Sequence, residues 1–272
     1  MTTSWETEAA REASPWIVFL ARMGYLAKAI LYATVGILAA QAALGRGGRT
    51  TDLGGALRET ARAPLGDVLL VVVAAGLIGY ALWRLVDAVK DTEGKGGGAK
   101  GIARRIGSGF RGLMHGALGI AALKLATRSG GGGEQDPDEL TARAMELPGG
   151  EWLIWLSAIF VLGYAAWQLY RGYAAKLGRQ LDLGDLSGGM RSWIIGLCRA
   201  GIAARGVVFG LIGVLLVRTA THRNPEEAGG LRESLDMLAG MGRWPLVVVS
   251  LGLVAYALYE LLNARYRRIR MD

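Results

Sequence analysis

Cys198 is the single cysteine among 272 residues. An internal disulfide is thereby excluded, and a lone cysteine inside a helix serves as a small apolar filler. Histidine occurs twice, as His115 and His222, too far apart to give metal-ligand spacing, so no metal is expected. The chain also lacks a nucleophile elbow, a P-loop, a dinucleotide fingerprint and paired carboxylates. It is therefore expected not to be an enzyme, with no catalytic residue and no cofactor. Acidic residues fall short of basic ones, giving a formal charge of +8, yet the basic residues lie beside apolar runs without the aromatic interleaving of a nucleic-acid surface. Nucleic acid is not an expected partner. A cleaved signal peptide is not expected either, because MTTSWETEAAREASP carries three glutamates and the first apolar run is longer than a signal core.

What remains is apolar. The hydrophobic fraction is 52% and the mean hydropathy +0.30, with 42 glycines against 6 prolines, the profile of a polytopic membrane protein. Six segments reach the ~20 residues that a spanning helix needs: about 17–44, 65–89, 103–127, 151–172, 193–217 and 244–264. They come as three hairpins, and Lys28 and Arg111 interrupt the first and third segments.

Superposing the hairpins reveals an internal repeat. RMGYLAKAILYATVG (22–36), RIGSGFRGLMHGALG (105–119) and RAGIAARGVVFGLIG (199–213) align without gaps. Each opens on arginine, follows with Gly24, Gly107 or Gly201, places a cation at Lys28, Arg111 or Arg205, and closes on Gly36, Gly119 or Gly213. The second helices align as GYALWR (79–84), GYAAWQ (163–168) and AYALYE (255–260). This unit resembles the bacterial multi-pass membrane family known as domain of unknown function 1206, whose members are similar to three tandem two-helix modules. The resemblance runs from about Trp16 to Arg268 and rests on R-x-G-x-x-x-[KR] and Y-A-x-[WY]; Lys28-Ala29 departs from the Arg-Gly of the other copies. It implies a fold and a location, and no site residues.

The expected fold is all-α and integral to the membrane: six transmembrane helices as three parallel two-helix repeats with approximate pseudo-threefold symmetry. The expected divisions are a tail at 1–15, repeats at 16–91, 102–176 and 193–268, linkers at 92–101 and 177–192, and a tail at 269–272. Lys and Arg number 20 on the side of both termini and 11 in the opposite loops, which predicts an inner-membrane protein with both termini cytoplasmic. LGGALRETARAPLG and LRESLDMLAGMG in the opposite loops read either as amphipathic caps on the membrane surface or as ordered loops. EGKGGGAKG and SGGGGEQDPD read as flexible connectors.

Polar residues follow a stripe. Gly107, Arg111, His115 and Gly119 recur every four positions on one helix face, as do Gly24, Lys28, Tyr32, Gly36 and Gly201, Arg205, Phe209, Gly213. Glycine stripes in membranes are contact faces, so the six glycines are expected at helix contacts and the cations are expected to face other helices. In the second helices Gly76, Tyr80, Arg84 correspond to Phe160, Tyr164, Gln168 and Gly252, Tyr256, Glu260. At 1.5 Å per residue, Lys28 and Arg84 both lie roughly 25 to 28 Å from the outer helix ends. A polar layer of Lys28, Arg84, Arg111, Gln168, Arg205 and Glu260 is expected, with one carboxylate for four cations and with Asp87 pairing Arg84. Snorkelling to water and headgroups, a basic pocket for an anionic lipid or small anion, and a polar pathway all answer that excess. His115 is expected to be a packed histidine, Tyr80, Tyr164 and Tyr256 to bond across helix pairs, and the tryptophans to form interfacial belts. The functional expectation is a structural or accessory membrane protein whose cytoplasmic-side basic layer takes an anionic phospholipid or small anion. The alternative is a transporter or channel for a small solute or ion through the same layer, and a membrane-protein partner or a second copy of the chain stays open.

Overall fold

The computed structural model describes residues 15–91, 96–127, 137–174, 177, 181 and 187–267, and the side chains of 15–17 and 137–140 are not described. The proposed terminal tails apart from Pro15, residues 93–95 of the first glycine-rich connector and residues 129–136 of the second lie outside this set. Six long helices carry the fold: α1 (Pro15–Ala43), α3 (Gly66–Lys90), α4 (Ala99–Ala126), α6 (Gly150–Ala174), α7 (Gly188–His222) and α9 (Arg243–Tyr266). Three short helices, α2 (Leu53–Arg62), α5 (Pro137–Met145) and α8 (Leu231–Gly240), precede the second long helix of each hairpin.

The segments read as amphipathic caps or ordered loops form the short helices α2 and α8, each with a buried face. Asp52 accepts from the Gly55 amide at 2.6 Å and nucleates α2, whose Ala56, Leu57 and Thr60 are buried. Glu233 reaches back to the Gly230 amide at 2.7 Å and starts α8, which buries Leu235 and Leu238. Leu57, Leu235 and Leu238 join a core with Leu31, Leu70 and Leu253 of the long helices. We call this the cap end of the bundle. The other, where α1 begins and α9 ends, is the terminal end.

Five of the long helices are long and apolar enough to cross a membrane; α4 is the exception. Lys100, Arg104, Arg105, Arg111 and Lys124 lower its hydropathy. α4 packs instead through small residues, burying Ser108, Gly112, Gly119 and Ala122. Side-by-side packing joins α3 to α4, α6 to α7, and α9 to α1, and more lightly α1 to α3 and α7 to α9. The row therefore runs α4, α3, α1, α9, α7, α6. Its two free edges approach where Phe110 of α4 meets Phe160 of α6, ring centroids 6.3 Å apart.

Close approach explains five of the six stripe glycines. A Cβ at Gly24 would fall 2.5 Å from Tyr80 Cβ, one at Gly36 2.9 Å from Ser250 O, one at Gly119 2.8 Å from Ile78, and one at Gly213 2.5 Å from Leu162. Gly201 sits equally tightly on the backbone of Ala255 and Tyr256. Gly107 corrects the expectation for its position. Nothing lies within 4 Å of where its Cβ would stand, because α4 does not pack against α6 as α1 packs against α3.

Candidate functional site

Lys28 of α1 and Glu260 of α9 form a buried ion pair, Nζ to Oε2 3.1 Å. Their helices pack closely because Gly36 lets α1 reach α9, and that contact carries the pair into the interior. The Lys28 ammonium also sits 4.4 Å from the Tyr25 ring centroid and 4.7 Å from that of Tyr80, where the electron-rich faces favour a cation. Glu260 Oε1 accepts in addition from the Tyr256 hydroxyl one turn earlier on α9.

That hydroxyl links the pair to Arg205. Its guanidinium on α7 donates Nε to Tyr32 at 3.0 Å and Nη1 to Tyr256 at 3.0 Å and Tyr164 at 3.2 Å. Three phenols from three helices thus surround one cation, and Phe209 packs 5.0 Å from its carbon. A neutral phenol satisfies a hydrogen bond but cancels no charge. No described carboxylate is paired with Arg205.

Arg84 and Arg111 take the remaining cation positions. Arg84 donates Nε to Tyr80 at 3.1 Å and lies 3.7 Å from Asp87, so the layer holds two carboxylates. Arg111 donates Nη2 to Ser108 at 3.1 Å, and its buried Nε has no partner. His115 turns Nδ1 to the Arg111 carbonyl at 2.8 Å and packs against Tyr80 at 4.9 Å, a local backbone contact without a carboxylate. Gln168 is fully buried on α6 beside Gly206, and neither of its amide atoms has a partner.

The six positions do not form one compact cluster. Lys28, Glu260 and Arg205 are joined through Tyr256; Arg84 touches this group through Tyr80; Arg111 bonds Ser108 on its own helix and Gln168 packs beside Gly206 of α7. The convergence of Tyr32, Tyr164 and Tyr256 on Arg205 was not anticipated, although the repeat register places all three at one level, a turn outward of the polar layer. Arg171 was also missed: it crosses from α6 to α9 and donates to Tyr259 at 2.5 Å. A cavity of about 460 Å³ opens elsewhere, at the cap end, bounded by Arg49, Thr50, Asp236 and Arg243. It does not include the polar layer.

Nothing among the described residues of this layer points to catalysis. Apolar helices enclosing buried cations, ion-paired or ringed by phenols, define a polytopic membrane protein built from a repeated two-helix unit. The chain belongs to the family Domain of Unknown Function (DUF1206), which matches it three times, at residues 23–91, 106–175 and 200–267. It is also similar to the protein named Uncharacterized protein YxxB of Bacillus subtilis (strain 168), with 32% identity over 264 residues that cover 96% of this chain and 95% of the relative. No solved structure matches it.

Proposed function

We propose that the chain is a non-enzymatic structural or accessory protein of the bacterial inner membrane that holds an anionic phospholipid headgroup or a small anion at its basic layer. In this reading all six long helices span the bilayer, the hairpins are related by an approximate threefold axis, and both termini are cytoplasmic, as the excess of Lys and Arg on that side requires. α4 fits because its cations gather toward the terminal end. Arg105 there donates to the carbonyls of Ala88 at 2.9 Å and Val89 at 2.6 Å, where a cation complements the C-terminus of α3.

One observation carries the proposal: Arg111 and Arg205, both partly buried, have hydroxyl partners and no ion-paired carboxylate among the described residues. An uncompensated cation at membrane depth costs at least about 2.5 kcal/mol. A bound anion offsets that cost, and a guanidinium offers a phosphate two parallel donors. Replacing Arg111 and Arg205 together by glutamine removes both charges and keeps most of the volume. Native mass spectrometry in phosphatidylglycerol or cardiolipin, and equilibrium binding of inorganic phosphate in detergent, are expected to show loss of both ligands. Equal retention by the variant rejects the basic site. The continuous contacts from Lys28 through Glu260 and Tyr256 to Arg205 support a carrier or channel as the second reading. Anion uptake by proteoliposomes that disappears in the double variant would favour it.

A further inference from the structure

The corresponding interfaces inside the three repeats are not alike. In the first, Gly76 of α3 lies against α1, where its Cβ would fall 2.5 Å from Met23 O and 3.2 Å from Ala27 Cβ. In the third, Gly252 of α9 lies on Ala204 of α7, with Ala200 O 3.8 Å from its Cβ position. The equivalent pair in the middle repeat is Phe160 and Phe110. Two rings replace a glycine and an alanine, and α4 and α6 are propped apart at that level. Both rings remain more than half exposed, Phe110 at 54% and Phe160 at 56%. One turn toward the terminal end, Gly24 touches Tyr80 and Gly201 touches Tyr256, whereas Gly107 faces open space. Gly163 across the gap also has nothing within 4 Å. The opening is thus written into the sequence by two substitutions in an otherwise repeated contact.

A gap between helices in a bilayer is occupied, since an unfilled void forfeits the dispersion contacts of its lining. Its walls here are apolar: Ile106, Phe110 and Met114 on α4, Leu156, Phe160 and Trp167 on α6, all exposed. Such walls suit an acyl chain. Next to Phe110 on α4 stands Arg111, whose buried Nε is unpartnered; Gln168 on α6 packs beside Gly206 of α7 with its amide unpartnered, and Arg205 of α7 is bonded to Tyr164 of α6. Arg111 Nε and Gln168 Nε2 are donors without acceptors, and the guanidinium favours an acceptor bearing negative charge. Apolar walls leading to unfilled donors match an amphiphile with an anionic head.

We infer that the middle repeat is a lateral opening through which an anionic phospholipid places a chain between α4 and α6 and its phosphate against Arg111 and Arg205. This rests on the basic-layer reading and commits it to a lipid arriving from within the bilayer. Phosphatidylglycerol carrying a photoactivatable group on its acyl chain, reconstituted with the intact protein in nanodiscs, provides the probe. Crosslinked peptides are expected to concentrate on 106–114 and 156–167 by about tenfold over the lipid-facing surfaces of α1, α3, α7 and α9, which equals a preference of about 1.4 kcal/mol. Phe110→Ala with Phe160→Gly restores the contact of the other repeats and is expected to abolish that concentration, while inorganic phosphate still binds in detergent. Arg111→Gln with Arg205→Gln is expected to lose both. Crosslinks spread evenly around the wild-type bundle overturn the lateral opening. If the arginine variant alone loses phosphate while crosslinks stay even, the opening falls and the basic layer stands. If that variant keeps both ligands, the basic layer falls as well.

Discussion

Glu260 ties two buried polar contacts together, since one carboxylate meets the Lys28 ammonium and the Tyr256 hydroxyl at once. Removing one partner of a buried pair leaves the other charge uncompensated, a loss of about 3 to 5 kcal/mol. Glu260→Gln is therefore expected to lower the melting midpoint in detergent strongly. Lys28→Met combined with Glu260→Met is expected to recover much of the loss, because two apolar chains of similar length need no counter-charge. A double variant as unstable as the single one would mean that the pair is held by its surroundings and not by mutual attraction. Tyr256→Phe probes the next link. It removes one acceptor of Arg205 and one donor to Glu260, and a cost of about 1 to 3 kcal/mol is expected for leaving those groups unsatisfied. The same substitution at Tyr173, which is exposed, is expected to leave the midpoint unchanged.

Helix by helix, the glycines divide into those that bear contacts and those that do not. Gly24→Leu would force a side chain into Tyr80, and Gly213→Leu into Leu162; overpacking of this kind costs about 1 to 3 kcal/mol. Gly107→Leu meets nothing and is expected to be tolerated. Thermal unfolding of the three variants in one detergent checks the division, and a destabilised Gly107→Leu would show that α4 and α6 do close. The long helices and the threefold recurrence of the glycine–cation stripe were legible in the sequence, because apolar length and a period of four residues survive without tertiary information; the pairing was not, since the closest packing joins α3 to α4, α6 to α7 and α9 to α1, helices of different hairpins. The opening was not legible. Phe110 and Phe160 have the composition of any lipid-facing position, and only the packing of Gly76 on Ala27 and Gly252 on Ala204 gives their bulk a meaning. The phenol ring around Arg205 was hidden for a related reason: its members come from α1, α6 and α9, and a helix face predicts direction but not which neighbour stands there.

At the scale of the whole molecule the first test is sidedness. Arg46 lies in an exposed turn at the cap end, and Gly97 is exposed between α3 and α4 at the other. Arg46→Cys and Gly97→Cys, each introduced singly, are expected to react with an impermeant thiol reagent from opposite faces of sealed vesicles, Gly97→Cys from the cytoplasmic face. Cys198 is buried, so the background is low. Labelling of both from one face would overturn the orientation.

The Lys28–Glu260 pair also sets an order in time. α1 and α9 are the first and last of the long helices, so the ammonium that one carries is made well before the carboxylate that neutralises it. Until α9 emerges from the ribosome and inserts, the nascent protein carries a cation at membrane depth without its counter-ion, and Gly36 has no surface to dock on. Chains halted before α9 hold that mismatch permanently. The Lys28 charge is thus covered only once α9 has packed against α1.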